Sequence, residues 1–538
     1  MKYEQIEQPN ISSFLEDFIS EKKELTNFFH YFPTRSSFKK RAAYLSGHSI
    51  NRPELVKVIR SYMEALPTSK KVERHLRELE ENAFVVIGGQ QAGLLTGPLY
   101  SIHKAISVIL LAKQQRSELN QPVVPVFWIA GEDHDLDEIN STYSPLNGRL
   151  QKHTYNDRPN RKKMASETVL DAEKLQAFIH AIFKQSVETI HTRKLLEKVN
   201  KLASESESYG DFFAKLMHHF FAEEGLLLID AAYGPLRKYE SPYFVQMIEQ
   251  SRDISKLVVK QEQLFSEAGY GEPIGASEDN ANLFFVEDGE RFLLKRKGEW
   301  FVNEQGNYRF TKSELITIAE KTPEKLSNNV VTRPLMQEMV FPVLAFIGGP
   351  GELAYWGTFK SFFEHMKMEL PIIVPRLSIT LVDRKSLKYM DELQLSIKDV
   401  FFGRLTEQKY AFIEDIQDSK AQQMIESIQA SLKEQYEEIS TYLLDSNYPL
   451  KQILAKNLSN HEKQFEFLQH KIEDTLLLRH EATLRKYNHI EGIIYPERSL
   501  QERIYSPIPF INEAGDSLIE DLLSMPFEFN GKHSIIYL

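Results

Sequence analysis

"VVIGGQQAGLLTGPLYSIHKAISVILLA" (residues 85–112) reads as a strand, a glycine-rich turn and a helix. That order opens a βαβ unit. The turn matches neither the GxGxxG dinucleotide fingerprint nor the GxxxxGK[ST] phosphate loop. Gly88, Gly89, Gly93 and Gly97 permit close backbone approach or positive φ. Pro98 suits the first turn of a helix, where a missing N–H costs nothing, and Thr96 is placed to cap it. The free N–H groups and dipole of such a helix start predict a site for a carboxylate or one phosphate, with Gln90 and Gln91 selecting by hydrogen bonds. His103 and Lys104 lie one to two turns in, and His103 shares a helical face with Tyr100.

Working outward, four more apolar runs have strand length: "VVPVFWIA" (123–130), "GLLLID" (225–230), "VLAFIGG" (343–349) and "PIIVP" (371–375). With "FVVIGG" (84–89) they are nearly continuous rather than alternating, as parallel strands covered on both faces require. The fold class is therefore α/β, a Rossmann-like parallel sheet. Two gaps between strands exceed an ordinary crossover and predict insertions at about 140–210 and 250–330. The second contains "NLFFVEDGERFLLKRKGEWFVN", alternating runs around Asp288–Gly289 followed by a short third run, which is a hairpin signal. Residues 1–80 read as helical and polar, broken at "YFPTRSSF".

Beyond "VPRLSITLVD" the pattern turns helical over 384–490, and 491–538 is expected to return to the 1–383 core. Ile425, Ile428, Leu432, Tyr436, Ile439 and Leu443 are spaced by 3, 4, 4, 3 and 4. After "DSNYP", Leu454, Leu458, His461, Phe465, Leu468, Ile472 and Leu476 repeat that seam. Helices of about 28 and 40 residues would span roughly 42 and 60 Å at ~1.5 Å per residue. The expectation is a long antiparallel coiled coil whose exposed seam takes a partner, most simply a second copy.

Bulk properties bound the function. The length of 538 residues suggests roughly three or four domain-sized units, and 42% apolar with 26% charged residues is globular composition. No cysteine means no disulfide, thiolate metal site or cysteine nucleophile. A net charge of −11 argues against nonspecific nucleic-acid binding. No run approaches the ~18 apolar residues of a membrane span. "MKYEQIEQPNISSFLEDF" lacks the basic start and apolar core of a signal peptide, so a cytoplasmic location is expected.

The second strand ends in "GEDHDLDE", placing Glu132, Asp133 and His134 where open parallel sheets bind ligands. They are candidates for holding or deprotonating an amine. The fourth strand ends in a second glycine turn, Gly348–Gly349–Pro350–Gly351, with Glu352 at a helix start and Tyr355 and Trp356 behind it. "LSNNVVTRPL" adds Asn329 and Arg333, whose guanidinium fork suits a carboxylate or phosphate. If 384–490 is a hairpin excursion, its feet bring Arg384, Lys385 and Ser386 beside His489, Ile490, Gly492 and Ile493 as a second anion or nucleotide pocket. His218 and His219 are neighbours on different helix faces and make a poor metal pair; "RPNRKKM" reads as a solvated loop. No metal ligand set is expected.

"GGQQAGLLTGPLYSIHK", "PVFWIAGEDHDLDE", "LSNNVVTRPL", "FIGGPGELAYW", "PRLSITLVD" and "SLQERIYSPIPF" together resemble the cysteine-ligase family of bacillithiol biosynthesis (BshC) over essentially the whole chain. The resemblance implies amide formation between L-cysteine and the glucosamine amine of glucosaminyl malate. It also implies a Rossmann core with two connecting-peptide insertions, a dimerising coiled coil, and ATP or another adenine nucleotide as cofactor. His103, Lys104, Glu132, Asp133 and His134 are then the catalytic candidates. Gln90, Gln91, Gly97, Tyr100, Asn329, Arg333, Gly349, Glu352, Tyr355 and Trp356 are the binding candidates. The fold is also similar to class I aminoacyl-tRNA synthetases, although "SIHK" supplies only a histidine and a lysine of the HIGH-type helix and no KMSKS counterpart is present. A nucleotide-responsive scaffold and a nucleotidyl transferase for another small acid stay open as alternatives.

Overall fold

The five apolar runs form β1 (Phe84–Gln90), β2 (Val123–Ile129), β3 (Leu227–Asp230), β4 (Val343–Gly348) and β5 (Ile372–Pro375). All pair in parallel in the order β5-β4-β1-β2-β3. In this computed structural model, residues 1–146, 149–157 and 163–538 are described. Most of "RPNRKKM" falls on 158–162, outside the described residues.

Every residue of β2 and of β4 is buried, which is why both read as unbroken apolar runs. The helix α1 (Tyr100–Leu119) connects β1 to β2 and packs on both. Helices Arg35–Ser46 and Arg52–Met63 pack against β4 and β3 respectively. Each Val, Ile, Leu or Phe so buried contributes about 1.5–3 kcal/mol.

The β1 glycines serve close approach rather than unusual torsions. A Cβ on Gly89 would lie 2.5 Å from the Trp128 carbonyl oxygen of β2, and one on Gly88 would press on Val108 and Lys104 of α1. Positive φ falls instead on Leu95, Thr96 and Gly97, just before α1. The two that are not glycine hold strained backbone, of order 1–3 kcal/mol each. Thr96 does not cap α1, whose N-cap residue is Leu99 without a side-chain bond.

One unit comprises residues 1–146, 150–383 and 499–538. Within it, the first insertion holds a two-stranded sheet, Ser141–Leu146 with Arg149–Thr154, then helices Ala172–Gln185 and Thr192–Ser204. The second follows the helix α2 (Gly234–Glu267) and forms a five-stranded antiparallel sheet. Its central hairpin, Asn280–Glu287 and Glu290–Lys297, turns at Asp288 and Gly289 with φ of 51° and 80°. Two positive-φ residues match the primed turns that follow strand twist.

The helical reading of residues 1–80 holds for helices Ser13–Ile19, Arg35–Ser46, Arg52–Met63 and Lys70–Glu81 and fails at the start of the chain. Lys2–Ile6 is a strand, paired antiparallel to His533–Tyr537, which pairs in parallel with Ser378–Val382. Five residues with four half-exposed or exposed side chains carry no apolar signature, and the strand exists because the far end of the chain pairs with it.

The helical unit is built on residues 384–498. Its hairpin consists of α5 (Ser419–Asp445, 27 residues) and α6 (Lys451–Arg479, 29 residues). The expected second helix of about 40 residues breaks at His480 and resumes as Glu481–Ile494; nothing in the local sequence marks the break. Tyr436 donates a hydrogen bond to Asn457 across the hairpin and meets the His461 ring edge-on. Ile425 is buried, whereas Ile428, Ile439 and Leu468 of the expected seam are 53%, 45% and 46% exposed. A two-helix hairpin covers only a narrow stripe, and the ~20° drift per heptad turns some seam positions outward. Among the described residues no helix is long and apolar enough to cross a membrane.

Candidate functional site

Strand order reverses between β1 and β4, where the chain leaves the sheet toward opposite sides. A cavity of about 660 Å³ lies there, beyond the carboxyl ends of the strands. Gly89, Gln90 and Gln91 enter it from β1, Gly349 and Glu352 from the turn after β4, and Asp133 and His134 from the turn after β2. Tyr100 and Lys104 project from α1, and Tyr355 from α4 (Pro350–Trp356). Asn329 and Arg333 border α3 (Thr332–Val340), and Phe284, Arg291 and Leu293 come from the inserted antiparallel sheet. Arg376, just past β5, and Arg503, in the C-terminal segment, complete a wall with four guanidiniums and one ammonium.

Lys104 is 1% exposed and its Nζ donates to Gly89 O (2.7 Å), Gln90 Oε1 (2.9 Å) and Glu352 Oε2 (2.5 Å). Three acceptors match its three N–H groups. Burial pulls its pKa down and Glu352 opposes that. Glu352 Oε2 also accepts the Gly349 N–H at 2.8 Å, so the start of α4 is already capped by the chain's own carboxylate. The start of α1 is likewise engaged, because Leu99 N donates to Tyr505 O at 2.7 Å and Gly97 is off the cavity wall. The expected anion site at that helix start is therefore corrected: the α1 residues on the cavity wall are Tyr100 and Lys104, and Gly97 is not on it.

Glu132 is fully buried beneath the wall. It accepts from Arg237, from Ser327 Oγ (2.7 Å) and from Arg333 Nε (3.1 Å). Burial alone would raise its carboxyl, but Arg237, Arg333 and Arg291 hold it well below the usual carboxylate range. Saturated and ionised, it is no general base; it orients Arg333. Arg237 also donates to Glu240 at 3.0 Å. Burial, with Glu132 adding to it, pushes Glu240 up to about 8.

Asp133 Oδ2 accepts from Gln91 Nε2 (2.8 Å) and Oδ1 from the His134 N–H (2.8 Å). Burial raises its carboxyl, but the Gln91 bond, Arg333 and Arg291 together leave it lowered. It is thus an ionised carboxylate on the wall, beside His134, whose ring meets Phe284 edge-on at 5.9 Å. Arg291 stacks over Phe284 at 3.9 Å, and burial brings it down to about 10. Asn329 joins α3 to the inserted sheet: its Oδ1 accepts from Val331 N and Thr332 N at the start of α3, and its Nδ2 donates to Asn282 Oδ1 at 2.9 Å. Burial raises the phenols of Tyr100 and Tyr355, so both are hydroxyl donors.

His103 faces away from the cavity. Its Nδ1 lies 2.9 Å from Glu502 Oε2, and both side chains are buried. Burial lowers the imidazole pKa more than Glu502 raises it. Glu502 also accepts from Arg376 Nη2 (2.8 Å), Ile379 N (3.1 Å) and Ser378 Oγ (3.3 Å). The catalytic assignment to His103 is thus corrected to a place behind the wall, because its face of α1 meets the C-terminal segment. Trp356 is also off the wall, packed among Phe346, Phe359 and Phe363. The sequence reading missed Arg291, Arg376, Arg503 and Glu502. Arg376 had a signal, since it directly follows a parallel strand's carboxyl end.

In the helical unit, Arg384 and Lys385 open the exposed side of helix Arg384–Glu392, while Ser386 is buried. That helix packs on Glu481–Ile494, and the Tyr389 ring meets His489 edge-on at 5.5 Å. Ile490, Gly492 and Ile493 are buried, so these members of the expected second anion or nucleotide pocket are packed inside the unit. His218 is buried, with Nε2 2.7 Å from Pro67 O, and His219 is exposed.

A family model for the N-terminal Rossmann-like domain of bacillithiol biosynthesis BshC matches residues 1–377, and one for the BshC C-terminal coiled-coil domain matches residues 379–538. A protein of Lysinibacillus sphaericus (strain C3-41) named "Putative cysteine ligase BshC" is 48% identical over 538 residues, covering 100% of both chains. Proteins of the same name from Geobacillus sp. (strain WCH70) and Bacillus anthracis are 38% and 37% identical, covering 93% and 97% of this chain and the same shares of their own.

Proposed function

The chain belongs to the BshC family of bacillithiol biosynthesis, and on that footing we propose that it is a cysteine ligase that joins L-cysteine to the amine of glucosaminyl malate in the cavity between β1 and β4. The observation that carries this reading is a switch-point cavity with the ionised Asp133 carboxylate beside the His134 imidazole on one wall and Lys104, Arg291, Arg333, Arg376 and Arg503 around it. An ammonium must lose a proton before it attacks a carboxyl carbon. Asp133 holds the ammonium by charge, and His134 beside it takes the proton. The amine nitrogen attacks the activated carboxyl carbon of cysteine, the new C–N bond forms as the C–O bond to the activating group breaks, and that group leaves with the carboxyl oxygen. Lys104 stabilises the negative charge on oxygen by exchanging its Glu352 partner for it.

Activation of cysteine's carboxyl by ATP or another adenine nucleotide belongs to this proposal. Four guanidiniums fit a phosphate-bearing co-substrate as well as they fit carboxylates. The glycine turns add no phosphate cradle, since Glu352 caps one helix start and Tyr505 meets the other. Those cations bind and orient the anionic groups, and the apolar side, Trp128, Phe284 and Phe346, limits water.

We also propose a cytoplasmic homodimer. Met424, Ile428, Tyr442, Ile453 and Phe467 of the hairpin are each more than half exposed, an apolar surface that a second copy of the coiled coil would cover. The test of the ligase reading is mass spectrometry of small thiols in cells lacking this chain. Accumulated glucosaminyl malate with loss of its cysteinyl amide is expected. An unchanged thiol pool would overturn the reading.

A further inference from the structure

Among the described residues four donors converge on one buried carboxylate, and one of them, Arg376, lines the cavity. Glu502 is 2% exposed and accepts from His103 Nδ1, Ile379 N, Ser378 Oγ and Arg376 Nη2. The Arg376 side chain is 6% exposed and lies on the cavity wall. Its backbone N–H is pinned to Gly348 O of β4 at 2.8 Å, and its guanidinium lies 5.6 Å from the Tyr100 ring centroid. Nη2 is thereby engaged, whereas Nη1 is buried without a hydrogen-bond partner among the described residues. An unmade bond at a buried guanidinium is costly, and a charged acceptor arriving through the cavity would satisfy it.

We infer that Arg376 is the residue that selects a carboxylate on the acceptor substrate, and that Glu502, backed by His103, is a positioning residue that holds the guanidinium toward the cavity. The other wall cations are differently committed. Lys104 is saturated, Arg333 shares Glu132 with Arg237, and Arg291, although its buried Nε also makes no hydrogen bond among the described residues, has its fork turned to Asn328 O and its Nη1 3.8 Å from Asp133. Arg503, next in sequence to Glu502 and exposed, stands ready for the second carboxylate of a dicarboxylic acid. The C-terminal segment is in this way part of the recognition apparatus. This inference rests on the ligase reading for the identity of the acid, malate, but not for the existence of the carboxylate site.

The test is titration calorimetry on the full-length protein with L-malate as probe and methyl glucosaminide as the carboxylate-free control. Arg376→Ala is expected to weaken malate binding about 10- to 100-fold, the loss of one charge-assisted hydrogen bond pair, and to leave the control unchanged. Arg376→Lys keeps the charge without the fork and is expected to weaken malate at an unaltered thermal midpoint, which separates recognition from folding. Added guanidinium at millimolar concentration should restore malate binding to Arg376→Ala. Glu502→Gln should weaken malate in the same direction and not respond to guanidinium, since the side chain is still present but unheld. Wild-type malate affinity in Arg376→Ala, or equal losses for malate and control, overturns the inference and leaves the ligase reading standing. Arg376-dependent malate affinity in a protein that forms no amide overturns the ligase reading alone.

Discussion

Replacing Glu132 by Gln would distinguish a carboxylate that does chemistry from one that holds the site together. Glu132 and Arg237 are 0% and 2% exposed, and the same carboxylate takes Arg333 and Ser327. Breaking a buried pair by removing one partner costs about 3–5 kcal/mol, because the other charge is left without compensation. Here the loss is tempered. Arg237 keeps Glu240, whose carboxyl is pushed up to about 8 by burial with a contribution from Glu132. With Glu132 neutral that contribution vanishes, Glu240 ionises more readily, and it takes over Arg237. The expected loss is therefore at the lower end, about 3 kcal/mol.

All three tryptophans, Trp128, Trp300 and Trp356, lie in residues 1–383, so their fluorescence during urea unfolding reports the sheet-bearing unit alone. The double mutant with Glu240→Gln should lose more than the two single changes together, by about 1–3 kcal/mol, since Arg237 then has no carboxylate. The pH dependence has a definite sign. A native carboxyl at about 8 keeps a proton that the unfolded chain, near 4.5, has released, so Glu240 erodes stability as pH rises from about 5 to 8. Glu240→Gln alone should flatten that decline. If Glu132→Gln unfolds like the wild type while catalysis is lost, Glu132 is a chemical group and the structural assignment is refuted.

Asp133→Asn removes an ionised wall carboxylate whose contact with the buried Arg291 is long, 3.8 Å, and whose Gln91 bond an amide can keep. Turnover should fall about 100-fold or more with little change in the unfolding midpoint, measured by steady-state assay and thermal melt. The Asp133 carboxyl is lowered in the folded protein, so its contribution should be present at neutral pH and lost as pH falls through the acidic limb of the rate profile. Gly89→Ala sets a Cβ 2.5 Å from the Trp128 carbonyl and should cost about 1–3 kcal/mol by forcing β1 from β2, read as a lowered melting midpoint. Ile428→Glu together with Tyr442→Glu charges the exposed hairpin face and should convert a dimer to a monomer in light scattering, with helix content by circular dichroism unchanged. A monomeric wild type would end the dimer proposal.

The parallel sheet was legible because its strands are covered on both faces and so appear as continuous apolar runs, "VVPVFWIA" most plainly. The Asp288–Gly289 hairpin was legible from its turn chemistry. Lys2–Ile6 was not, since its stability comes from His533–Tyr537 at the other end of the chain. The cavity's two glycine turns and its acidic turn could be located by their position after strands. What each side chain does there could not, because the deciding partners are remote. His103 meets Glu502 across 399 positions, Arg333 meets Glu132 across 201, and Arg376 meets Glu502 across 126. A helix start is an open anion site only until another segment fills it. Glu352 and the Tyr505 carbonyl do so here, and no local pattern announces either.

The most direct test of the ligase account is turnover by the purified full-length protein supplied with L-cysteine and glucosaminyl malate, with and without ATP or another adenine nucleotide. Mass spectrometry should detect the cysteinyl amide with the wild type, at a rate lowered about 100-fold or more in Lys104→Met, whose side chain lacks the cavity's ammonium. No amide under any of the nucleotide conditions, or an equal rate in Lys104→Met, would contradict the assignment of amide formation to this cavity.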